Sequence, residues 1–184
     1  MSILASGSFD NSVKLWNIQT KKCDLTLKTS QSIFCILATN NATQLVCGSA
    51  DNSIVIWDIS NKENISEQKI INAHDNRITC MTKTKENLIA SGSADNLIKL
   101  WNLSTNKWVR SLKGHKSFIR SLNYVGSDNL VSSSNDGCVM MWSLTNGQCL
   151  ETISIDSVFT FLNQLKFYNG DCFKNNESTI KLWN

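Results

Sequence analysis

Five tryptophans, Trp16, Trp57, Trp101, Trp142 and Trp183, stand 41, 44, 41 and 41 residues apart, and nothing else in the 184-residue chain constrains its fold as tightly. Each closes a similar short run: Val13-Lys14-Leu15, Ile54-Val55-Ile56, Ile98-Lys99-Leu100, Val139-Met140-Met141 and Ile180-Lys181-Leu182. The residues one and three places before each Trp are always apolar, whereas the one between them is Lys, Val or Met. One face is thus buried every time while the other tolerates charge, which is the two-residue period of a β-strand. Six residues before the Trp comes Asp10, Asp51, Asp95 or Asp136, with Glu177 in the last unit, and Asn or Gly follows each Asp. That pair marks a tight turn joining two strands. A second strand precedes the turn and ends in small residues: Ser6-Gly7-Ser8, Cys47-Gly48-Ser49, Ser91-Gly92-Ser93 and Ser132-Ser133-Ser134. Small side chains there let neighbouring sheets pack closely.

His74 and His115 keep the same phase, 27 residues before Trp101 and Trp142 and 21 before Asp95 and Asp136. All the extra length of the 44-residue interval therefore falls between Trp57 and His74, around Asn61-Lys62-Glu63-Asn64. It reads as a loop insertion, which a repeat accepts without losing register.

Composition narrows the function classes. The net charge of +3 reads as spread along the chain, unlike the clustered basic patch of a nucleic-acid binder, so no nucleic-acid partner is expected. The longest clear apolar run, Ile33 to Ala38, is far too short to cross a bilayer, and Ala5-Ser6-Gly7-Ser8 leaves no room for a signal sequence. A cytoplasmic location is expected, with the nucleus as the alternative, and no membrane partner. The seven cysteines include no C-x-x-C pair and lie mostly in apolar, strand-like stretches, as buried thiols in a reducing compartment would. With only His74 and His115 to join them, no metal site and no other cofactor are expected.

In these residues the chain resembles the WD-repeat family, whose units run about 40 to 45 residues with Gly-His near the start and Trp-Asp near the end. Only Trp57-Asp58 keeps the literal dipeptide; Trp16-Asn17, Trp101-Asn102, Trp142-Ser143 and Trp183-Asn184 depart from it. The resemblance covers residues 1–184 as a single propeller region and implies an all-β fold, one four-stranded antiparallel blade per repeat around a channel. Counted this way, three blades are complete and two partial. The first lacks its inner strand and the last its outer one, so the ring is expected to be incomplete and the chain a fragment of a longer protein. Open blade ends would then invite self-association.

His74, Ser91, Asp95 and Trp101, and again His115, Ser132, Asp136 and Trp142, look like hydrolase triads. A catalytic triad occurs once per site, whereas this set recurs with the architecture. The resemblance implies structural tetrads that tie turn to strand, so no catalytic residue and no enzyme activity are expected. In the unit before His74 the histidine position reads as Ser30, after Thr29, and in the last unit as Asp156. Those blades are expected to lack the full tetrad and to be less rigid.

The resemblance also implies partner binding along one rim, at positions three and five residues after the His and just before the turn Asp. Those offsets give Arg77, Thr79, Phe118 and Arg120, then Ile33 and Cys35, and Phe159 and Phe161. Before the acids stand Phe9, Ala50, Ala94, Asn135 and Asn176. Two of the three arginines thus fall on this rim, and Arg grips carboxylates and phosphates bidentately. The expected function is a protein-interaction scaffold presenting this rim to other proteins or peptides, including acidic or phosphorylated ones. Phe118-Ile119-Arg120 and Gly147-Gln148-Cys149-Leu150 are similar to F-box-type ubiquitin-ligase receptors, which makes substrate recognition for such a ligase one alternative. The sensor region of a larger signalling ATPase or kinase is the other.

Overall fold

The Asp-Asn or Asp-Gly pair six residues before each of the first four repeat tryptophans turns the chain by the same device. Asn11, Asn52, Asn96 and Gly137 all sit at positive φ, between 62° and 78°, the left-handed region that Asn and Gly enter at least cost. The Asp before each one stays in the turn: Asp51, Asp95 and Asp136 accept a hydrogen bond from the N–H two residues on, and Asp10 from the Ser12 hydroxyl. The turn residues therefore close these hairpins themselves.

The computed structural model describes residues 3–39, 43–61, 64–70, 72–85 and 87–154. Among them are fifteen strands and no helix. The first sheet holds β1 (Ile3–Gly7), β2 (Ser12–Asn17) and β3 (Lys22–Lys28). The second holds β4 (Ile33–Ala38), β5 (Gln44–Ser49), β6 (Ile54–Asp58) and β7 (Ser66–Ile70). The third holds β8 (Ile78–Lys83), β9 (Leu88–Ser93), β10 (Ile98–Asn102) and β11 (Lys107–Leu112). The fourth holds β12 (Ile119–Gly126), β13 (Asn129–Ser134), β14 (Cys138–Ser143) and β15 (Cys149–Ser154). Within each sheet the strands lie side by side in chain order, as successive hairpins dictate. These are three complete four-stranded blades and one three-stranded one. The fifth repeat, with Asp156, Phe159, Phe161, Asn176, Glu177 and Trp183, lies outside the described residues.

The chain divides into two compact units, residues 1–81 and 82–184, the boundary falling within β8. In the first unit, Val13, Leu15, Ile33, Leu45, Cys47, Val55 and Trp57 form one buried cluster. In the second, Val131 and Val139 pack with half-buried Val125 and Met141. In the four described repeats the apolar residues one and three places before the Trp are buried as the alternation requires, Met141 being only partly so. β5, β9 and β13 are almost wholly buried, whereas β1, an edge strand in its three-stranded sheet, exposes Ile3 and Leu4.

Small residues do set the approach between sheets in the first unit. A Cβ added to Gly7 would lie 2.5 Å from Ile33 Cγ2, and one on Gly48 would lie 2.6 Å from both Cys35 Sγ and Ile78 Cγ2. Ile33 and Ile78, the first residues of β4 and β8, are buried against those glycines. The insertion after Trp57 lies between elements: residues 59–65 separate β6 from β7, where only residues 103–106 separate β10 from β11.

The expectation of mostly buried thiols needs correction, since among the described cysteines only Cys47 is buried. Cys47 is fully buried, and burial pushes its thiol up to about 12, but Cys23 and Cys149 are exposed. Both stand opposite a repeat Trp, Trp16 and Trp142, where a β-bulge shifts the register of the outer strand. A bulge re-aims side chains, and alternation alone cannot show that.

Candidate functional site

The fourth sheet carries a complete hydrogen-bonded relay. Trp142 Nε1–H donates to Ser132 Oγ (2.8 Å), Ser132 Oγ lies 2.7 Å from His115 Nε2, and His115 Nδ1 lies 2.9 Å from Asp136 Oδ2. A carboxylate only accepts, so Nδ1 carries the proton and Nε2 receives the Ser132 hydroxyl. Burial lowers the His115 pKa, the Asp136 carboxylate opposing it only in part, so the imidazole is held neutral. Burial also pulls Asp136 upward, yet the N–H groups of Lys116 and Cys138, together with His115, hold it below the usual carboxylate range. Every polar group in the chain Trp–Ser–His–Asp is thereby satisfied inside the sheet, as buried groups require. The arrangement binds the Asp136 turn to β13 and β14.

The third sheet holds the same four residue types, the first keeps the Trp–Ser pair, and the second fills these positions differently. In the third sheet Trp101 Nε1–H donates to Ser91 Oγ at 2.8 Å, His74 is buried, and Asp95 holds its own turn. In the first, Trp16 donates to Ser6 Oγ at 2.9 Å. The second sheet has Cys47 where the others have that serine, and Trp57 Nε1–H turns instead to Glu67 Oε2 on β7, 3.2 Å away. Its histidine is likewise replaced. Lys69, also on β7, donates to Asp51 Oδ2 at 2.6 Å and to Ser30 Oγ at 3.3 Å, while Ser30 reaches Asp51 at 3.5 Å. The blade expected to be loosely held is therefore tied through its outer strand. Sequence reasoning missed Glu67 and Lys69; Cys47 in the serine position was the available signal.

Two rim equivalences also need correction. The Ala50 N–H donates to Ser32 O (2.9 Å) just as the Asn135 N–H donates to Phe118 O (3.0 Å), so Ser32 and Phe34 match Phe118 and Arg120. Ile33, counted as a rim position, is instead a core residue, 4% exposed. Ile33 stands eighteen residues before Asp51, whereas Ile78 and Ile119 stand seventeen before Asp95 and Asp136. The connection from β4 to β5 is longer by one, and counting back from the acid slips by that residue.

With the phase restored, the first unit gathers Phe9, Phe34 and Arg77. Phe9, 68% exposed, meets Phe34 edge-on with ring centroids 4.9 Å apart, and the Arg77 guanidinium lies 5.5 Å from the Phe34 centroid. Such T-shaped and cation–π contacts hold the group together at a partly exposed surface. Thr79 is half-buried and points its hydroxyl to Cys80 Sγ at 3.8 Å.

In the second unit Phe118 is half-buried, Arg120 exposed, and Asn135 lies beside them. Arg120 Nε–H donates to Asn135 Oδ1 at 2.5 Å. The contact fixes the plane of the guanidinium and leaves its two Nη groups to act as an end-on fork. The Asn135 amide nitrogen adds two further donors, so this edge offers donors to a ligand. A carboxylate or phosphate is the natural complement.

A family model for the WD domain, G-beta repeat, matches residues 1–17, 21–58, 65–102 and 106–143. No curated protein matches the chain in sequence. Among solved structures it is similar to a structure of U3-55K, at 19% identity and a TM-score of 0.75, over 83% of this chain and 48% of that one. It is also similar to a crystal structure of RRP9 WD40 repeats, at 20% identity and a TM-score of 0.73, over 81% and 47% respectively. The chain thus spans about half the length of those solved chains, and at such identity the likeness concerns the fold. The fold generally serves as a non-enzymatic scaffold for protein interactions. With four repeat matches that together cover more than half of its residues, the chain belongs to the WD-repeat family.

Proposed function

We propose that this chain is an interaction scaffold whose Phe118, Arg120 and Asn135 edge receives an acidic or phosphorylated segment of a partner protein. The observation that carries the reading is the Arg120 Nε to Asn135 Oδ1 hydrogen bond on an exposed arginine. An unrestrained surface Arg loses much side-chain entropy on gripping a ligand; one already held by its neighbour loses less. Phe118 beside it supplies apolar contact, and aromatic residues with Arg are the types enriched at binding hot spots. The flanking scaffold is rigid: Ile119 is fully buried, and the Asn135 N–H is fixed to Phe118 O.

Titration of a phosphopeptide library against the wild-type chain and Arg120→Ala tests the proposal. Phosphorylated or acid-rich peptides should be enriched on the wild type and weakened about tenfold by the substitution, as loss of one charge-assisted bidentate contact implies. Indistinguishable binding profiles would overturn it.

A further inference from the structure

The positive charge of the chain is concentrated. Residues 97–116 hold Lys99, Lys107, Arg110, Lys113 and Lys116 without a single Asp or Glu, leaving thirteen bases against fifteen acids in the rest of the chain. The expectation of dispersed charge fails at this one stretch. Its centre is β11, which lies at one end of its sheet's strand order, so among the described residues no strand pairs with its outer backbone edge. The acids on the flanking turns are engaged elsewhere. Asp95 caps its own turn, Asp128 pairs with Lys85 and Thr145, and Asp136 with His115.

The same strand exposes Trp108 (55%) and Val109 (45%). A β-bulge opposite Trp101 shifts the register there, and Trp108 Nε1–H donates to Ser111 Oγ at 3.3 Å, which pins the indole along the strand. Arg110 is anchored differently: its Cδ lies 2.8 Å from where a Cβ on Gly147 would sit, so its stem is packed against that turn. The other outer strands each carry an acid, with Lys22, Asp24 and Lys28 on β3, Glu67 and Lys69 on β7, and Glu151 on β15. Lysines on an edge repel like strands and discourage neutral ones, but an exposed Trp does nothing to protect an edge.

We infer that the β11 edge is a second docking surface, which takes an extended acidic segment of a partner protein as an added strand. Charge complementarity selects the acid. The backbone edge selects a polypeptide over a nucleic acid, because the outward N–H and C=O groups of β11 are matched by another peptide strand and not by a phosphodiester. Trp108 and Val109 give the added strand its apolar contacts. This surface is separate from the Arg120 edge and does not depend on it.

The test uses the full 184-residue chain, a fluorescein-labelled ten-residue peptide of alternating Glu and Val, and an oligouridylate of equal length. Anisotropy should show saturable binding of the peptide at low salt, weakened as salt rises. Measured in the Arg120→Ala background, where the Arg120 edge no longer takes up acidic peptide, Trp108→Ala and the double variant Lys107→Glu with Lys113→Glu should each weaken it at least tenfold. Far-UV circular dichroism and the urea midpoint monitor folding; if Trp108→Ala disturbs either, the charge-reversal variant decides, since both lysines are exposed. Absence of saturable binding, equal binding by the charge-reversal variant, or tighter binding of the oligouridylate would each overturn the inference.

Discussion

Lys69 Nζ sits 2.6 Å from Asp51 Oδ2, joining the outer strand of the second sheet to the turn that its sister sheets hold with other residues. The contact, with Ser30 as a third member, keeps Asp51 ionised; burial pulls that carboxyl up, but Lys69 and the hydroxyls of Ser49 and Ser53 outweigh it and lower its pKa. Both side chains remain about a quarter exposed, so solvent screens the pair.

Lys69→Met, which keeps the stem and removes the charge, should therefore destabilise the chain by only about 0.5–1 kcal/mol. Urea titrations at low and high salt check this. The difference between wild type and variant should shrink as salt rises.

His115→Ala should cost more, about 2–3 kcal/mol, because it removes the imidazole that links the buried Ser132 hydroxyl to the Asp136 carboxylate and leaves each with one partner fewer. The urea midpoint is the readout. An equal cost for His115→Ala and an exposed-site control would remove the relay from the account of stability.

The pH dependence has a definite sign. The His115 pKa is lowered in the folded chain, so as pH falls below about 6.5 the unfolded chain takes up a proton that the folded one resists. Stability present above that pH is lost on acidification down to the depressed folded value. A further loss follows below the ordinary Asp value of 3.8 as Asp136, also lowered, is protonated. The midpoint measured between pH 7 and pH 5 should fall for the wild type and be flatter for His115→Gln.

Gly48→Ala adds one methyl at a site where Cys35 and Ile78 stand at 2.6 Å. Both neighbours are parts of packed strands, so the overpacking should cost about 1–3 kcal/mol. Gly126→Ala, where nothing lies within 4 Å but φ is +82°, should cost about 1 kcal/mol through backbone strain alone. Comparing the two by thermal melts separates packing from conformation.

The strands and turns were legible because they depend on short-range chemistry. Alternation around Val13-Lys14-Leu15 fixes which face is buried, and the Asp-Asn and Asp-Gly pairs need only their own backbone to form a turn. The repeat of those signals, with tryptophans 41 to 44 residues apart, was enough to place the family. Three things depended on tertiary structure. The phase of the rim turned on one added residue between β4 and β5, because hydrogen bonding between Ala50 and Ser32 sets the register and residue count does not. The replacements for the missing histidine and serine came from Lys69 and Glu67 on a strand that no motif marks, since a buried polar group takes whichever partner the fold brings within reach. The exposure of Cys23, Trp108 and Cys149 followed from bulges opposite the repeat tryptophans, where one extra residue breaks the alternation that sequence reading relies on.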